Sequence, residues 1–586
     1  MSDHDPQLYF AEDGAPRSAR FGDIYYSLQD GLSEARAVFL AGCHLPEAWQ
    51  DGGAFSVLEL GFGTGLNIAA LINLWAGNRP ADGHLHVFSI EGFLMARDQA
   101  AAALGSWPEI AEFTDAILEQ WPKARRGFHY MDFPQWGVSV TLALMDVRAA
   151  LQAWSGAADA IFLDGFSPAL NADMWGEDVL ALVATKARPG TRLATFTVAG
   201  FVRRGLQAAG FTVEKRPGFG RKRERLEAVF APDAPRTATP AIKRIAIVGA
   251  GIAGAALAYQ ARQLGLMVDI YDQDGVGAGA SGNAAALVTP RFDLGDDAIA
   301  GLFADALDYA TRLYRRLAPE AVLAKGTLLY ETSPRDAERF DRISRQDVFA
   351  QGDIGPFRPG GEATETSGLR LNAALAVLPR PILESLLGDA AIRTGRITGY
   401  RTHEAGVDLV MEAASETYDA IILASGDGLI DLCPDLDVRP VRGQIEQAVS
   451  NAKPDKPVSW GGYAVPLPDG FLFGATHDRG DRGTDVRDAD RARNLESLAK
   501  GLPELAAIAV DSRLNSRASI RVTTRDHLPF AGRLTDRVYA LGGLGGRGFC
   551  LAPLLARALL AEITGGPSGL PEAAKKLLSP DRLRRI

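Results

Sequence analysis

Short apolar runs recur along the chain between stretches with helical spacing. "FSVLEL", "LHVFSIE", "VSVTLALMD", "AADAIFLDGF" and "TRLATFT" each read as a strand bounded by turn or helix residues. The rhythm stops at "APDAPRTATPAI", Ala231 to Ile242, which has neither period and is rich in Pro, Ala and Thr, as a linker is. It restarts at Arg244 with "RIAIVGAGIAGAALAYQARQLGLMVDIYDQD". The pattern predicts an α/β fold made of two domains, each with a mainly parallel sheet. The first is expected over residues 1–232, a linker over 233–242 and the second over 243–586.

In the first domain "FSVLELGFGTGLNIAALINLW" places Gly61, Gly63 and Gly65 between a strand and an amphipathic helix. Glycines there permit a sharp turn and let a ligand approach the backbone. Glu91 ends the next strand, where a carboxylate can accept both hydroxyl hydrogens of a ribose, and Asp146 ends another, where it can sit beside an adenine. The G-x-G-x-G spacing, unlike G-x-G-x-x-G, disfavours a pyrophosphate, and the ordered series of turn, Glu91 and Asp146 on successive strand ends favours a nucleoside over a purely structural turn. Asp164 in "FLDGFSPALNADMW" ends a further strand at the lip of the expected crevice. It is either a helix N-cap or an acceptor for the proton of a nucleophile. The turn resembles the [Asn/Asp]-Pro-Pro-aromatic loop of amino methyltransferases, in which polar groups aim a nitrogen lone pair at a sulfonium methyl.

The second domain carries a full G-x-G-x-x-G at Gly249, Gly251 and Gly254, with Asp272 ending the following strand. Between strand and helix, this is a dinucleotide fingerprint with the pyrophosphate at the helix N-terminus. "GAGASGNAAALVTPRF", with Ser281 and Asn283, resembles the flavin-wrapping segment of the D-amino-acid oxidase superfamily, which argues for FAD over a nicotinamide. "VYALGGLGGRGFCLAPLL" adds a strand, a glycine cluster containing Gly545 and Gly546, and a helix whose positive end suits a flavin carbonyl edge. "ASIRVTTRDHLPFAG" resembles the segment that grips a substrate carboxylate, and by position its arginine is Arg521. A structural ion pair is the competing role, and Arg525 is near enough to be confused with it.

Composition changes little in this picture. With 47% hydrophobic and 23% charged residues among 586, the chain is an ordinary globular one. No apolar run reaches membrane-spanning length and "MSDHDPQLYF" is no signal peptide, so no membrane contact and a cytoplasmic home are expected. Cys43, Cys433 and Cys550 show no paired spacing, so neither disulfides nor a metal is expected. A net charge of −10 weighs against nucleic acid binding by the whole surface. One basic run, "EKRPGFGRKRERLE", with Lys215, Arg216, Arg221, Lys222, Arg223 and Arg225, is either a solvated hairpin or a phosphate-facing patch.

Read together, both domains resemble the bifunctional MnmC family, which builds 5-methylaminomethyl-2-thiouridine at the tRNA wobble position. The likeness is carried in order by "FGDIYYSLQDGLSEARAVFLAG", "LELGFGTGLN", "FLDGFSPALNADMW", "FTVAGFVRRGLQAAGF", "PGFGRKRERL", "IVGAGIAGAALA", "GASGNAAALVTPRF" and "GGLGGRGFCLAPLL". It departs at Asp272, where Glu is more usual, and in the extra glycines of "GGLGGRGF". The resemblance implies a Rossmann-like class I methyltransferase using S-adenosyl-L-methionine, with Asp164 orienting the amine. It also implies a D-amino-acid-oxidase-like FAD domain with an inserted antiparallel-sheet substrate lobe, drawn from parts of Leu317 to Thr366 and Pro434 to Arg513. The substrate it implies is the wobble uridine of a tRNA anticodon loop, oxidised first and methylated second, and the basic run gains weight as a tRNA contact. Two alternatives stand: a free N-alkyl glycine as substrate, or an idle FAD half that only holds tRNA.

Overall fold

The computed structural model describes the chain apart from residues 1–5, 13–15, 27–29, 221, 232–241, 358–366, 413 and 586. The chain divides into two compact units, Met1–Ala241 with Ala561–Glu572, and Ile242–Leu560 with Ala573–Ile586. Of the linker expected at 233–242, all but Ile242 lies outside the described residues. No helix among the described residues is long and apolar enough to cross a membrane.

The first unit holds an eight-stranded sheet of β1 (Ala54–Leu60), β2 (His84–Glu91), β3 (Gly127–Phe133), β4 (Val138–Leu144), β5 (Ala158–Leu163), β6 (Ala187–Thr195), β7 (Phe211–Pro217) and β8 (Glu224–Phe230). Their order is β7-β8-β6-β5-β1-β2-β4-β3. The five central strands are parallel, whereas β3 and β8 pair antiparallel with β4 and β6. β1 and β5 are buried along nearly their whole length because both of their faces are covered, and they are mostly apolar. Helix α1 (Leu66–Asn78) buries Leu66, Ile68, Leu71, Ile72 and Trp75. Trp75 meets Trp49 edge to face at 5.0 Å and donates to the Trp136 carbonyl at 2.9 Å. The strand order turns back between β1 and β5, which opens a crevice at their carboxyl ends.

The second unit repeats the device. A six-stranded sheet of β9 (Arg244–Val248), β10 (Met267–Asp272), β11 (Ala391–Thr394), β12 (Ala420–Leu423), β13 (Phe530–Thr535) and β14 (Val538–Gly542) has the order β11-β10-β9-β12-β14-β13. All its pairs are parallel but β13 with β14. Helix α2 (Ile252–Gln263) packs tightly on the turn before it: a Cβ on Gly254 would lie 1.8 Å from the Gly249 carbonyl oxygen. One on Gly249, at φ +111°, would lie 2.5 Å from the Ala424 carbonyl. Helix α3 (Gly548–Ile563) follows β14 after a glycine-rich turn.

The expected substrate lobe is a ten-stranded, mostly antiparallel sheet, with one parallel pair between Val322–Tyr330 and Val458–Ser459. It also recruits Ala286–Val288, Gly368–Val377 and all of Arg513–Thr524, beyond the segments read from the sequence. Gly368–Val377 was hard to read because its Ala-rich end shows no alternation; those residues are buried. Arg513–Thr524 pairs with Val438–Val449 over twelve consecutive residues, which sets Arg521 opposite Val441.

That sheet carries a buried polar knot. Arg442 pairs with Asp490, the Gln444 amide donates to Glu446 at 2.9 Å, and the Asn494 amide donates to the Gln444 carbonyl at 3.0 Å. All five residues are buried, and together they tie helix Asp488–Gly501 to strand Val438–Val449. Removing one partner strands the other's charge away from water. Asp490→Ala is expected to cost about 3–5 kcal/mol in urea unfolding, and the apolar pair Arg442→Met with Asp490→Leu to recover most of that loss.

Candidate active sites

In the first unit Gly61, Gly63, Glu91, Asp146 and Asp164 line one cavity of about 480 Å³ at the carboxyl ends of the parallel strands. Gly65 does not line it; in the left-handed conformation, it starts helix α1. Gly61 lies against the opposite loop, where a Cβ would come within 3.1 Å of the Gly165 backbone. The buried Glu91 carboxylate accepts from Gly63 N–H at 2.9 Å and Phe93 N–H at 2.8 Å, and burial raises its pKa. Each oxygen keeps a lone pair for a hydroxyl. Asp146 caps the helix Val147–Ala153 through the Arg148 and Ala149 amides. The remaining wall is aromatic: Phe21 stacks on Phe166 at 4.7 Å and Tyr25 meets Phe166 edge-on at 5.1 Å.

Asp164 is also part of a second cavity, of about 470 Å³, lined by Tyr25, Glu34, Asn67, Phe196, Phe219 and Lys222 among others. The carboxylate accepts from the Asn67 amide and from Gly165 N–H, each at 2.8 Å. It is no helix N-cap. Burial outweighs both hydrogen bonds and pushes its pKa up to about 7. Lys222 pairs with Glu34 at 2.9 Å and sits 4.1 Å from the centre of the Phe196 ring. The rest of the basic run is largely neutralised within its hairpin: Lys215 pairs with Glu224, Arg216 with Glu214 and Arg225 with Glu227. Arg223 is exposed, and Arg221 lies outside the described residues.

In the second unit Gly249, Gly251, Asp272, Ser281, Asn283, Arg521, Gly545 and Gly546 line a single cavity of about 590 Å³. Gly254 is absent from its wall because its part is the helix packing described above. Asp272 accepts from Ala250 N–H at 2.7 Å and Gly275 N–H at 2.8 Å, and so shapes the turn that it follows. The Ser281 hydroxyl accepts from Ile252 N–H at 3.0 Å, and Asn283 holds the Arg517 guanidinium at 2.9 Å.

Arg521 is the decisive group. Its guanidinium donates to the Thr476 carbonyl at 2.9 Å and has no carboxylate partner among the described residues, so the ion-pair role is not what the structure shows. Arg525 donates instead to the Arg582 carbonyl, outside this cavity. Past Arg521 a smaller chamber of about 240 Å³ is walled by Arg291, His477, Thr523, His527 and Arg547, with no acidic side chain. Burial and the neighbouring Arg521 hold His477 below its ordinary pKa. Among the described residues no group of three or more His, Cys, Asp or Glu is placed to hold a metal ion.

Comparison with known proteins agrees with this geometry. Residues 108–231 match the family model described as "S-adenosyl-L-methionine-dependent methyltransferase", and residues 244–563 that described as "FAD dependent oxidoreductase". The tRNA 5-methylaminomethyl-2-thiouridine biosynthesis bifunctional protein MnmC of a Caulobacter species is 48% identical across 98% of this chain and 97% of its own. That of Maricaulis maris is 40% identical across 98% of this chain and 96% of its own. The chain belongs to this family. It is therefore a bifunctional enzyme, with a methyltransferase that uses S-adenosylmethionine and an oxidoreductase that uses FAD. Iminodiacetate oxidase from Chelativorans, 22% identical with TM-score 0.50 over 57% of this chain and 99% of that one, shares the fold of the second unit.

Both cofactors fit what is present. The glycine turns leave backbone where a Cβ would intrude, and both cavities combine an open turn with an acid at the end of the next strand. Residues that sequence reading missed are Tyr25, Asn67 and Phe196 in the first unit and His477 and Arg547 in the second. Asn67 and Arg547 lie within the glycine motifs and Tyr25 and Phe196 within other quoted stretches, but which cavity each side chain lines is decided only by the fold.

Beneath the first glycine turn, Glu59 is fully buried. Desolvation outweighs the hydrogen bonds from Ser89 and Asn67 and pushes its pKa up to about 8. A carboxyl that keeps its proton longer when folded favours the folded chain most below about pH 4.5, and that advantage is lost as pH rises towards about 8. The wild-type thermal midpoint should fall relative to Glu59→Gln across this window, and a constant difference would refute the assignment.

Proposed function

We propose that this chain completes the wobble uridine of tRNA in two steps, the reaction for which its relatives are named. The second unit removes the carboxymethyl group from 5-carboxymethylaminomethyl-(2-thio)uridine, and the first methylates the amine that is left. The observation that carries this reading is Arg521, a half-buried cation with no carboxylate in contact, beside a chamber whose wall holds no acidic side chain. A carboxymethylamine brings that anion on the carbon next to the one oxidised.

When bound, FAD supplies a two-electron acceptor and S-adenosylmethionine a transferable methyl group. Arg521 clamps the substrate carboxylate and so fixes the adjacent C–H in the cavity. Gly545 and Gly546, leading into α3, turn the positive end of that helix to the same space. Oxidation at the N-bound carbon gives an imine; water cleaves it to glyoxylate and a primary amine. That amine is the nucleophile for the first unit. Asp164 orients it and takes its proton, directly or through water, and a carboxyl titrating near neutrality suits that task. Glu91 holds the ribose of the methyl donor and Asp146 stands beside its adenine. Gly249 and Gly251 admit the FAD pyrophosphate to the α2 N-terminus, with Asp272 on the ribose and Ser281 and Asn283 in the wrapping segment. The methyltransferase occupies residues 1–232 and the oxidoreductase 243–586, and the tRNA substrate places the enzyme in the cytoplasm.

Flavin bleaching by tRNA bearing the carboxymethylaminomethyl group, but not by free sarcosine or glycine, is expected; bleaching by the small amines would move the substrate to a free N-alkyl glycine. Arg521→Met should lower kcat/KM for flavin reduction on the order of a hundredfold, as for a buried charge contact, and leave methylation of aminomethyl-tRNA unchanged. Asp164→Ala should do the reverse, halting methylation while bleaching persists. Wild-type methylation should rise with pH through about 7 as Asp164 loses its proton, and Asp164→Asn should lack that limb.

A further inference from the structure

The cavity on the far side of Asp164 contains a feature that neither methyl transfer nor cofactor binding uses. Glu34 is largely buried, with its side chain 12% exposed, and its carboxylate is 2.9 Å from the Lys222 ammonium at the cavity rim. Phe196 lies beneath that ammonium, and Tyr25 and Phe219 complete an aromatic wall. Both charges act on Asp164, Glu34 raising and Lys222 lowering its affinity for a proton, so the three groups share one small space. The pair is a donor beside an acceptor, held side by side. We propose that Lys222 and Glu34 read the Watson–Crick edge of a flipped uracil in this cavity and make it selective for uridine over cytidine.

The argument is one of matching edges. In the proposed function the aminomethyl group on C5 points at Asp164. Round the ring from C5 come O4, an acceptor, and then N3–H, a donor. Lys222 donates to O4 and Glu34 accepts from N3–H, while the ring rests against aromatic side chains, the usual way an unstacked base is held. Cytosine reverses both groups: its N4 amino would face the ammonium, and its N3 lone pair the carboxylate. Cytosine therefore sets donor against ammonium and lone pair against carboxylate, and such like-against-like contacts disfavour the wrong base. The ion pair also explains how Glu34 tolerates burial in the empty cavity. Part of the basic run thus reads the base rather than the phosphate backbone.

This inference rests on the proposed function, and one experiment separates the two. Methylation is followed on anticodon stem-loops carrying either 5-aminomethyluridine or 5-aminomethylcytidine at the wobble position. The wild type should favour uridine by roughly ten- to a hundredfold in kcat/KM, the range for a hydrogen bond to a charged group. Lys222→Met and Glu34→Gln should each reduce that preference to within about threefold, and Lys222→Arg, which keeps a donor, should restore much of it. Affinity for S-adenosylmethionine, measured by calorimetry, should stay unchanged in all three and so show that the unit is folded. Equal use of both bases by the wild type, or full preference in the folded variants, overturns the inference while the function stands. No methylation of either stem-loop by the wild type, with methyl donor bound, overturns the function and this inference with it.

Discussion

The half-buried Arg521 guanidinium donates to one backbone carbonyl and touches no carboxylate among the described residues. Burial disfavours its charge, lowering its pKa. Asp478 and Tyr463 offset this only in part; the twelve-residue register between Arg513–Thr524 and Val438–Val449 holds the arginine in place, and the knot of Arg442, Asp490, Gln444 and Glu446 ties that strand to its helix. A substrate anion would supply what the fold withholds. Binding energy and substrate choice then come from one unmet electrostatic demand.

The first unit applies the same logic with the opposite sign. Asp164 is half-buried, with two hydrogen bonds and no counter-charge in contact, at the point shared by two cavities. One cavity has the glycine turn and acids of a nucleoside site; the other has aromatic walls and an ion pair. In the proposed function the carboxylate stands where a methyl donor and an amine meet. Its elevated pKa is a consequence of that placement, since an acid reached from two sides at the end of a buried strand has little water of its own.

The chemistry of the two units is complementary. Oxidation beside a carboxylate exposes a primary amine, and methyl transfer needs an amine free of its proton. A cation without an anion suits the first task, and an anion of raised pKa suits the second. Lys222, which the sequence placed in a basic run with Arg223 and Arg225, belongs by contact to the cavity beside Asp164, whereas Lys215, Arg216 and Arg225 are paired within the hairpin.

Much of this was legible in the chain. Strand-turn-helix units announce themselves because buried parallel strands must be apolar on both faces and their turns need glycine, so Gly61, Gly63, Gly249, Gly251 and the acids ending the following strands could be found locally. The inserted lobe was only partly visible, since Ala-rich Gly368–Val377 has no alternation to read. Whether Arg521 was ion-paired, whether Asp164 capped a helix, and what Lys222 touched depended on side chains far away in sequence: Thr476, Asn67, Glu34 and Phe196. Sequence alone determined the elements and the backbone turns that receive cofactors, because those follow from local sterics and periodicity. Tertiary structure decided which charges lack partners, because a partner is defined by distance in space, and the chain records only distance along itself.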